Sequence, residues 1–239
     1  MNLIKLDAID STNDFLKKLS SLQVLENFTT VMTENQTNGK GQMGAKWVSE
    51  PSKNLICSIF LKDFLNDSNQ IFNLNRAVSL SVFLALEKYN LPQLAIKWPN
   101  DIMSDSKKIG GILIENTIKS DGKINSVIGI GLNVNQLNFE LLPKASSMAK
   151  IMAKEFDKEF ILKDIISHLK TIVLENNSAN LHLTYVKKLF KKGIPMPFET
   201  KKGKFMGSIQ NVNEMGFLEV LLEDDSIELF DLKEIQMLY

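Results

Sequence analysis

Apolar and polar residues alternate over residues 2–9, as in a half-buried first strand, and the polar run Ser11-Thr12-Asn13-Asp14 then opens a segment with Phe15, Leu16, Leu19 and Leu22 at helical spacing. Residues 29–34 read as a short strand and 54–62 as a strong one. The apolar stretch 71–89 reads as a long helix whose Asn73, Asn75 and Arg76 argue against a membrane span. Residues 95–98 read as a strand end, stopped by Pro99, which cannot donate to a ladder. The runs 109–118 and 124–135 read as buried strands joined by a tight turn at 120–123. From Ser146 the period changes to that of helices: a short one at 147–154, then 159–174 with Phe160, Ile161, Ile165, Leu169 and Ile172 on one side, then 180–192. Gly193-Ile194-Pro195-Met196-Pro197 ends the helical region. Four short β-like runs follow, at 198–201, 204–212, 216–222 and 226–232, with turn residues such as Lys202-Gly203 and Asp224-Asp225 between them.

This order predicts an α+β fold: a mixed β-sheet flanked by helices over residues 1–193, and a small SH3-like β-barrel over 194–239. A chain of 239 residues is ample for such a core. Its 28 basic and 28 acidic residues cancel, which argues against a nucleic-acid-binding polyelectrolyte and requires any phosphate site to be local. The one cysteine, Cys57, lies in an apolar run and reads as a buried, inert thiol; His168 and His182 are too few for a usual zinc cluster and read as bystanders. No segment has the pattern of a signal peptide or a spanning helix, so the expectation is a soluble cytoplasmic protein with no membrane partner.

Chemistry concentrates in three places. The stretch KWPNDIMSDSKKIGGILIE, residues 97–115, holds Lys97, Lys107, Lys108, Asp101, Glu115 and the pair Gly110-Gly111 between apolar runs. Asn100 and Asp101 are expected in a turn, and the polar tip 104–108 reverses the chain, aiming Lys97, Asp101 and Lys108 at one end of a sheet. A plain charged hairpin turn fits the same residues, although Trp98 beside a carboxylate is unexpected in one. The second place, residues 36–47, contains Gly39, Gly41 and Gly44 in a literal G-x-G-x-x-G. A dinucleotide fingerprint would open a helix, whereas Lys46 to Ser52 lead through Pro51 into a strand. A kinase reading fails for want of H-R-D and D-F-G. What remains is a glycine-rich loop able to fold over an anion and offer backbone N–H groups, or else a mobile surface loop. In the third, Gly129 and Gly131 permit close backbone approach, and Asn133 and Asn135 are either ligand contacts or capping amides at a strand exit.

KWPND followed by KKIGGILIE closely resembles the signature of biotin protein ligases, and with the other segments the resemblance runs from about Leu6 to Leu238. It implies ATP and biotin as substrates with Mg²⁺, and a biotin carboxyl carrier protein or domain as partner. Ser11, Thr12, Asn13, Gln36, Gly39, Lys40, Gly41, Lys108, Gly110 and Gly111 would hold biotin. Lys40, Gly41, Gln42, Gly44, Trp47, Lys97, Asn100 and Asn133 would hold ATP and its phosphates. Lys108, Lys97 and Asp101 would be catalytic, and no resident metal site is expected. Family members usually carry arginine where this chain has Lys40, Gln42 and Ala45. The larger bacterial members begin with a DNA-binding domain, for which motifs starting at Ser11 leave no room, so neither a repressor role nor a nucleic-acid partner is expected. A dimer is compatible with the sequence, which does not fix the oligomeric state. Two alternatives stay open: a lipoate ligase or octanoyl transferase of the same fold, and a non-catalytic biotin- or nucleotide-binding module.

Overall fold

Strands β1 (Leu3–Ile9), β2 (Thr30–Gln36), β3 (Leu55–Lys62), β4 (Ala95–Lys97), β5 (Asp101–Ser104), β6 (Lys107–Ile118) and β7 (Ile124–Leu132) form one sheet in the order β1-β2-β3-β7-β6-β5-β4. The computed structural model describes residues 2–65, 71–175 and 178–239. β1 and β2 are parallel and joined by helix α1 (Thr12–Leu22), while the other neighbours are antiparallel, so the sheet is mixed.

The central strands are buried on both faces, and their alternation sorts them. Leu55, Cys57, Ile59 and Leu61 of β3, with Ile112 of β6 and Ile128, Ile130 and Leu132 of β7, belong to the large core built with α2 (Ile71–Glu87) and α4 (Lys158–Glu175). Each such side chain stabilises the fold by about 1.5–3 kcal/mol. On the other face α1 seats Leu16 in a smaller cluster with Leu25, Val31, Phe60 and Val127. Burial pushes the Cys57 thiol up to about 12, which makes it inert. Helix α3 (Met148–Met152) is capped by Ser147, whose Oγ accepts from the Lys150 N–H at 3.0 Å.

Several expectations need correction. Leu22 and Phe160 are exposed at 73% and 53%, because the strips that reach the core are narrower than their apolar spacing suggests. Asp101 opens β5 instead of sitting in a turn, and the bend before it is made by residues 98–100. The expected helix over 180–192 ends early as α5 (Ser178–Lys187), because the next backbone is drawn to β4: Ile96 donates to Lys188 O and Phe190 donates to Ile96 O, both at 2.8 Å. The C-terminal region has five strands, not four: β8 (Met196–Thr200), β9 (Gly203–Val212), β10 (Leu218–Leu222), β11 (Ile227–Phe230) and β12 (Ile235–Met237), antiparallel in the order β11-β10-β9-β8-β12. The additional strand β12 is only three residues long, too short for a visible alternation.

The two sheets share one core, since Met196, Phe198, Ile209, Val212, Leu218, Val220, Phe230 and Met237 join the cluster of the first sheet. Two polar ties fix the join. The buried Trp98 indole donates through Nε1 to Gly216 O at 2.9 Å. Arg76, 1% exposed, donates to Asn73 Oδ1 at 2.6 Å and to the Asn213 carbonyl in the β9–β10 turn. Replacing Arg76 by Ala leaves a void in the core and removes the hydrogen bonds to Asn73 and Asn213, a loss on the order of 3 kcal/mol. Urea denaturation of Arg76→Ala checks this; a change below about 0.5 kcal/mol, the size of an ordinary surface substitution, would contradict it.

Candidate functional site

The face of the sheet under α1 is hollowed by small residues in register. Gly111 of β6 lies opposite Gly131 of β7, Leu113 opposite Gly129, and on the other side of β7 Ser58 pairs with Gly129 and Ile56 with Gly131. A cavity of about 250 Å³ opens there. It is walled by these strands, by the first turn of α1, by Gln36 and by the loop 40–47.

The glycines are required by what covers them. A Cβ on Gly129 would lie 2.5 Å from Asn13 Oδ1, and one on Gly131 would lie 2.5 Å from Trp47 Cε2. The loop is a small hairpin: Trp47 donates to Gly39 O at 3.0 Å, Gly41 donates to Ala45 O at 2.7 Å, and Lys40 bridges to Lys46. It thus lays the Trp47 ring over Gly131. The Trp47 Nε1 is buried with no partner among the described residues, a donor left for a ligand in a cavity it helps to wall.

The polar end of the cavity has a fixed hydrogen-bond polarity. Ser11 caps α1, accepting from the Asp14 N–H at 3.3 Å. Gln36 Oε1 accepts from the Thr12 N–H at 2.9 Å and the Thr12 hydroxyl at 3.2 Å. A backbone N–H only donates, so Gln36 must turn its oxygen to α1 and its Nε2 to the Gly39 side. Asn13 is held the opposite way. Its Nδ2 donates to Glu115 Oε2 at 2.7 Å, and its Oδ1, over Gly129, accepts from Ser58 Oγ at 2.6 Å with a second lone pair left over. Ser58 Oγ also meets Thr12 Oγ1 at 2.7 Å. Gln36 Nε2 thus remains as a donor and the second lone pair of Asn13 Oδ1 as an acceptor, the pattern that a cyclic urea complements.

The charged end is built on β5 and β6. Lys108 Nζ lies 2.6 Å from Asp101 Oδ1 and 6.0 Å from the Trp47 ring centroid, while Lys97 Nζ is 3.7 Å from Asp101 Oδ2. Asp101 is thereby held between two ammonium groups, one of which reaches the cavity wall. Lys40 pairs with Asp14 at 2.5 Å, and hydrogen bonding to Lys40 holds the Asp14 carboxyl below its ordinary value. No cluster of three or more acidic, histidine or cysteine side chains able to cage a metal occurs among the described residues.

Of the expected site residues, Ser11, Thr12, Asn13, Gln36, Lys40, Gly41, Gln42, Trp47, Asn100, Asp101, Lys108 and Gly111 line the cavity. Gly39 and Gly44 shape the loop without lining it, and Gly110 turns to the opposite face, where a Cβ would meet Leu132. Lys97 lies over the half-buried ring of Tyr239, 5.2 Å from its centroid, outside the lining. Asn133 is spent on structure, donating to Ser146 O at 3.0 Å, and Asn135 exchanges hydrogen bonds with the Phe156 backbone. The cavity also includes Ala45, Lys46, Ile56, Cys57, Leu113 and Ile130, and Ser58 stands just behind it. Ser58 had a signal: it is the one hydroxyl in the apolar run of β3.

The model of the biotin/lipoate A/B protein ligase family matches residues 6–135. The bifunctional ligase/repressor BirA of Bacillus spizizenii is 27% identical over 226 residues, covering 91% of this chain and 68% of that protein. The biotin–protein ligase of Homo sapiens is 27% identical over 212 residues, 82% of this chain and 29% of its own length. The biotin protein ligase of Aquifex aeolicus in complex with biotin and ATP superposes with a TM-score of 0.77 at 29% identity, covering 99% of this chain and 98% of that one.

Gly131→Ala should displace the Trp47 ring and open the loop, because a contact of 2.5 Å cannot be absorbed by small shifts of the indole. In a Trp98→Phe background, which leaves Trp47 as the only tryptophan, this appears as a red shift of fluorescence and increased quenching by iodide. An unchanged spectrum would mean that the ring does not rest on Gly131.

Proposed function

The chain belongs to the biotin/lipoate A/B protein ligase family, and we propose that it is the biotin-specific kind: an ATP-dependent ligase that makes biotinyl-5′-AMP and transfers the biotinyl group to a lysine of a biotin carboxyl carrier domain. The observation that carries this choice is the opposed pair of amides, Gln36 turned N–H outward and Asn13 held oxygen outward, at the closed end of the cavity. A ureido ring meets both, whereas the dithiolane of lipoate or the tail of octanoate would leave Gln36 Nε2 without a ligand partner and Asn13 Oδ1 with Ser58 alone, which disfavours those ligands. That argues against a lipoate ligase or octanoyl transferase. The alignment with a ligase complexed to biotin and ATP over nearly the whole chain supports catalysis over a binding module.

In the first step a biotin carboxylate oxygen attacks the α-phosphorus of MgATP and the bond to the β-phosphate breaks, releasing pyrophosphate. Charge builds on the phosphoryl oxygens, and Lys108 and Lys40, with the loop amides, are the groups assigned to stabilise it. Lys97, Asn100, Gln42 and Trp47 complete the nucleotide site in this reading, and the Lys40–Asp14 pair ties the loop to α1, the position from which the loop covers the mixed anhydride. In the second step the carrier lysine attacks the acyl carbon and AMP leaves. That lysine has a reference pKa of about 10.4 and must lose a proton. Asp101 receives it once Lys108 has turned from the carboxylate to the phosphate. No helix among the described residues is long and apolar enough to cross a membrane, in keeping with work in the cytoplasm on a soluble carrier.

Incubation with MgATP, biotin and an apo carrier domain should add one biotinyl group to the carrier by mass spectrometry, and lipoate should add nothing. Lys108→Ala should lower biotin-dependent ATP–pyrophosphate exchange by about a hundredfold or more, the cost of one preorganised charge, with the fold unchanged by circular dichroism. Near-normal exchange would return Lys108 to the role of a solvated turn residue.

A further inference from the structure

The orientation of Asn13 is set by a carboxylate outside the cavity wall. Glu115 follows Gly111 and Leu113 on the same face of β6 and is carried past the cavity to the flank of α1. Its Oε2 takes the Asn13 N–H at 2.7 Å, and its Oε1 takes the Lys17 ammonium at 2.7 Å. Lys17 also reaches Asp14 at 3.1 Å, and Asp14 holds Lys40 of the loop at 2.5 Å. Burial alone would lower the Lys17 pKa, but the hydrogen bonds to Glu115 and Asp14 outweigh it and hold the value above that of an ordinary lysine. The chain Lys40–Asp14–Lys17–Glu115–Asn13 thus runs along the outside of α1 from the loop to the urea-reading amide.

We propose that Glu115 is a specificity-determining positioning residue: as a group that only accepts, it forces Asn13 to present oxygen to the ligand, and so selects a ureido N–H. The proposal deepens the biotin-ligase reading and rests on it. Without the carboxylate, the other acceptor for Asn13 Nδ2 is Leu113 O at 3.4 Å, a weak hold. Ser58 Oγ, which donates to Asn13 Oδ1 at 2.6 Å, is a hydroxyl that can accept as well as donate and so does not fix the sense of the amide. The amide can then turn over, and a ureido N–H meets an N–H. A ligand that lacks the urea has nothing to lose by the change.

The test measures ATP–pyrophosphate exchange with the full chain for wild type, Glu115→Ala, Glu115→Gln, Asn13→Ala and the Asn13→Ala/Glu115→Ala double variant, with folding monitored by circular dichroism. Glu115→Ala should raise the KM for biotin about tenfold or more, while kcat and the KM for ATP change by less than about threefold. Glu115→Gln, which keeps the volume of the side chain and one accepting oxygen but no longer only accepts, should raise the biotin KM by less than Glu115→Ala yet by at least about threefold, and covers the case in which the alanine variant does not fold. In the double variant the KM should stay within about twofold of that of Asn13→Ala alone, because Glu115 acts through Asn13. An unchanged biotin KM in a folded Glu115→Ala or Glu115→Gln protein, a parallel loss in ATP KM and kcat, or effects that multiply in the double variant would each overturn the proposal. Absence of biotin-dependent exchange in wild type would instead overturn the ligase reading. Calorimetry with biotin then judges Glu115 separately: weaker binding by Glu115→Ala supports the positioning role, and equal binding refutes it.

Discussion

The site exists because, at two successive levels, three neighbouring strands carry only one large side chain each time. Gly111, Gly131 and Gly129 stand in register with Leu113, Ile56 and Ser58, so the face under α1 is hollow where the opposite face is packed with leucine and isoleucine. Each glycine in a strand costs about 0.5–1 kcal/mol relative to alanine. The core around α2 and α4 offsets that cost, and it also explains why the hollow does not collapse, since the strands that border it are anchored from behind. The space so kept is filled by designated neighbours: Asn13 presses on Gly129 and Trp47 on Gly131. A polar reader and an aromatic lid thus meet the backbone at distances that no other residue would allow.

The charged end depends on a different constraint, the bend at residues 98–100. Asn100 fastens it to β6, its side chain donating to Ile112 O at 2.5 Å and its carbonyl accepting from Ile112 N at 3.0 Å. Trp98 fastens it to the second sheet through Gly216, which Phe72 packs against so closely that a Cβ would sit 2.6 Å from its ring. The indole beside Asp101 is therefore a structural anchor between the two sheets. The second sheet supplies the fixed point from which β4 and β5 bring Lys97, Asp101 and Lys108 together, and that explains why the two share one core.

Much of this was legible in the residues, for identifiable reasons. The alternating run at β1, the apolar runs at β3, β6 and β7 and the cap at Ser11 are signals contained in a few successive residues. The same holds for the loop, where glycines and lysines in one short segment leave few other uses. Sequence reading failed where distant backbone made the decision: the chain after α5 pairs with β4 through Lys188 O and Phe190 N, and β12 forms because β8 offers an edge. The resemblance places Asn133 on the nucleotide, and the fold adds a hydrogen bond from its Nδ2 to Ser146 O. Glu115 stood in plain view within the central stretch, but its partner Asn13 is 102 positions away, and no local pattern marks such a pair.

The central claim is that the closed end of the cavity reads a urea through two amides locked in opposite senses. Isothermal titration of the wild-type protein with biotin, lipoate and octanoate tests it directly, without catalysis or a carrier. The account requires biotin to bind at least about a thousandfold more tightly than either acid, since a site built to hydrogen-bond a polar group rejects analogues that leave its own groups unpaired. Comparable affinity for all three ligands would contradict it.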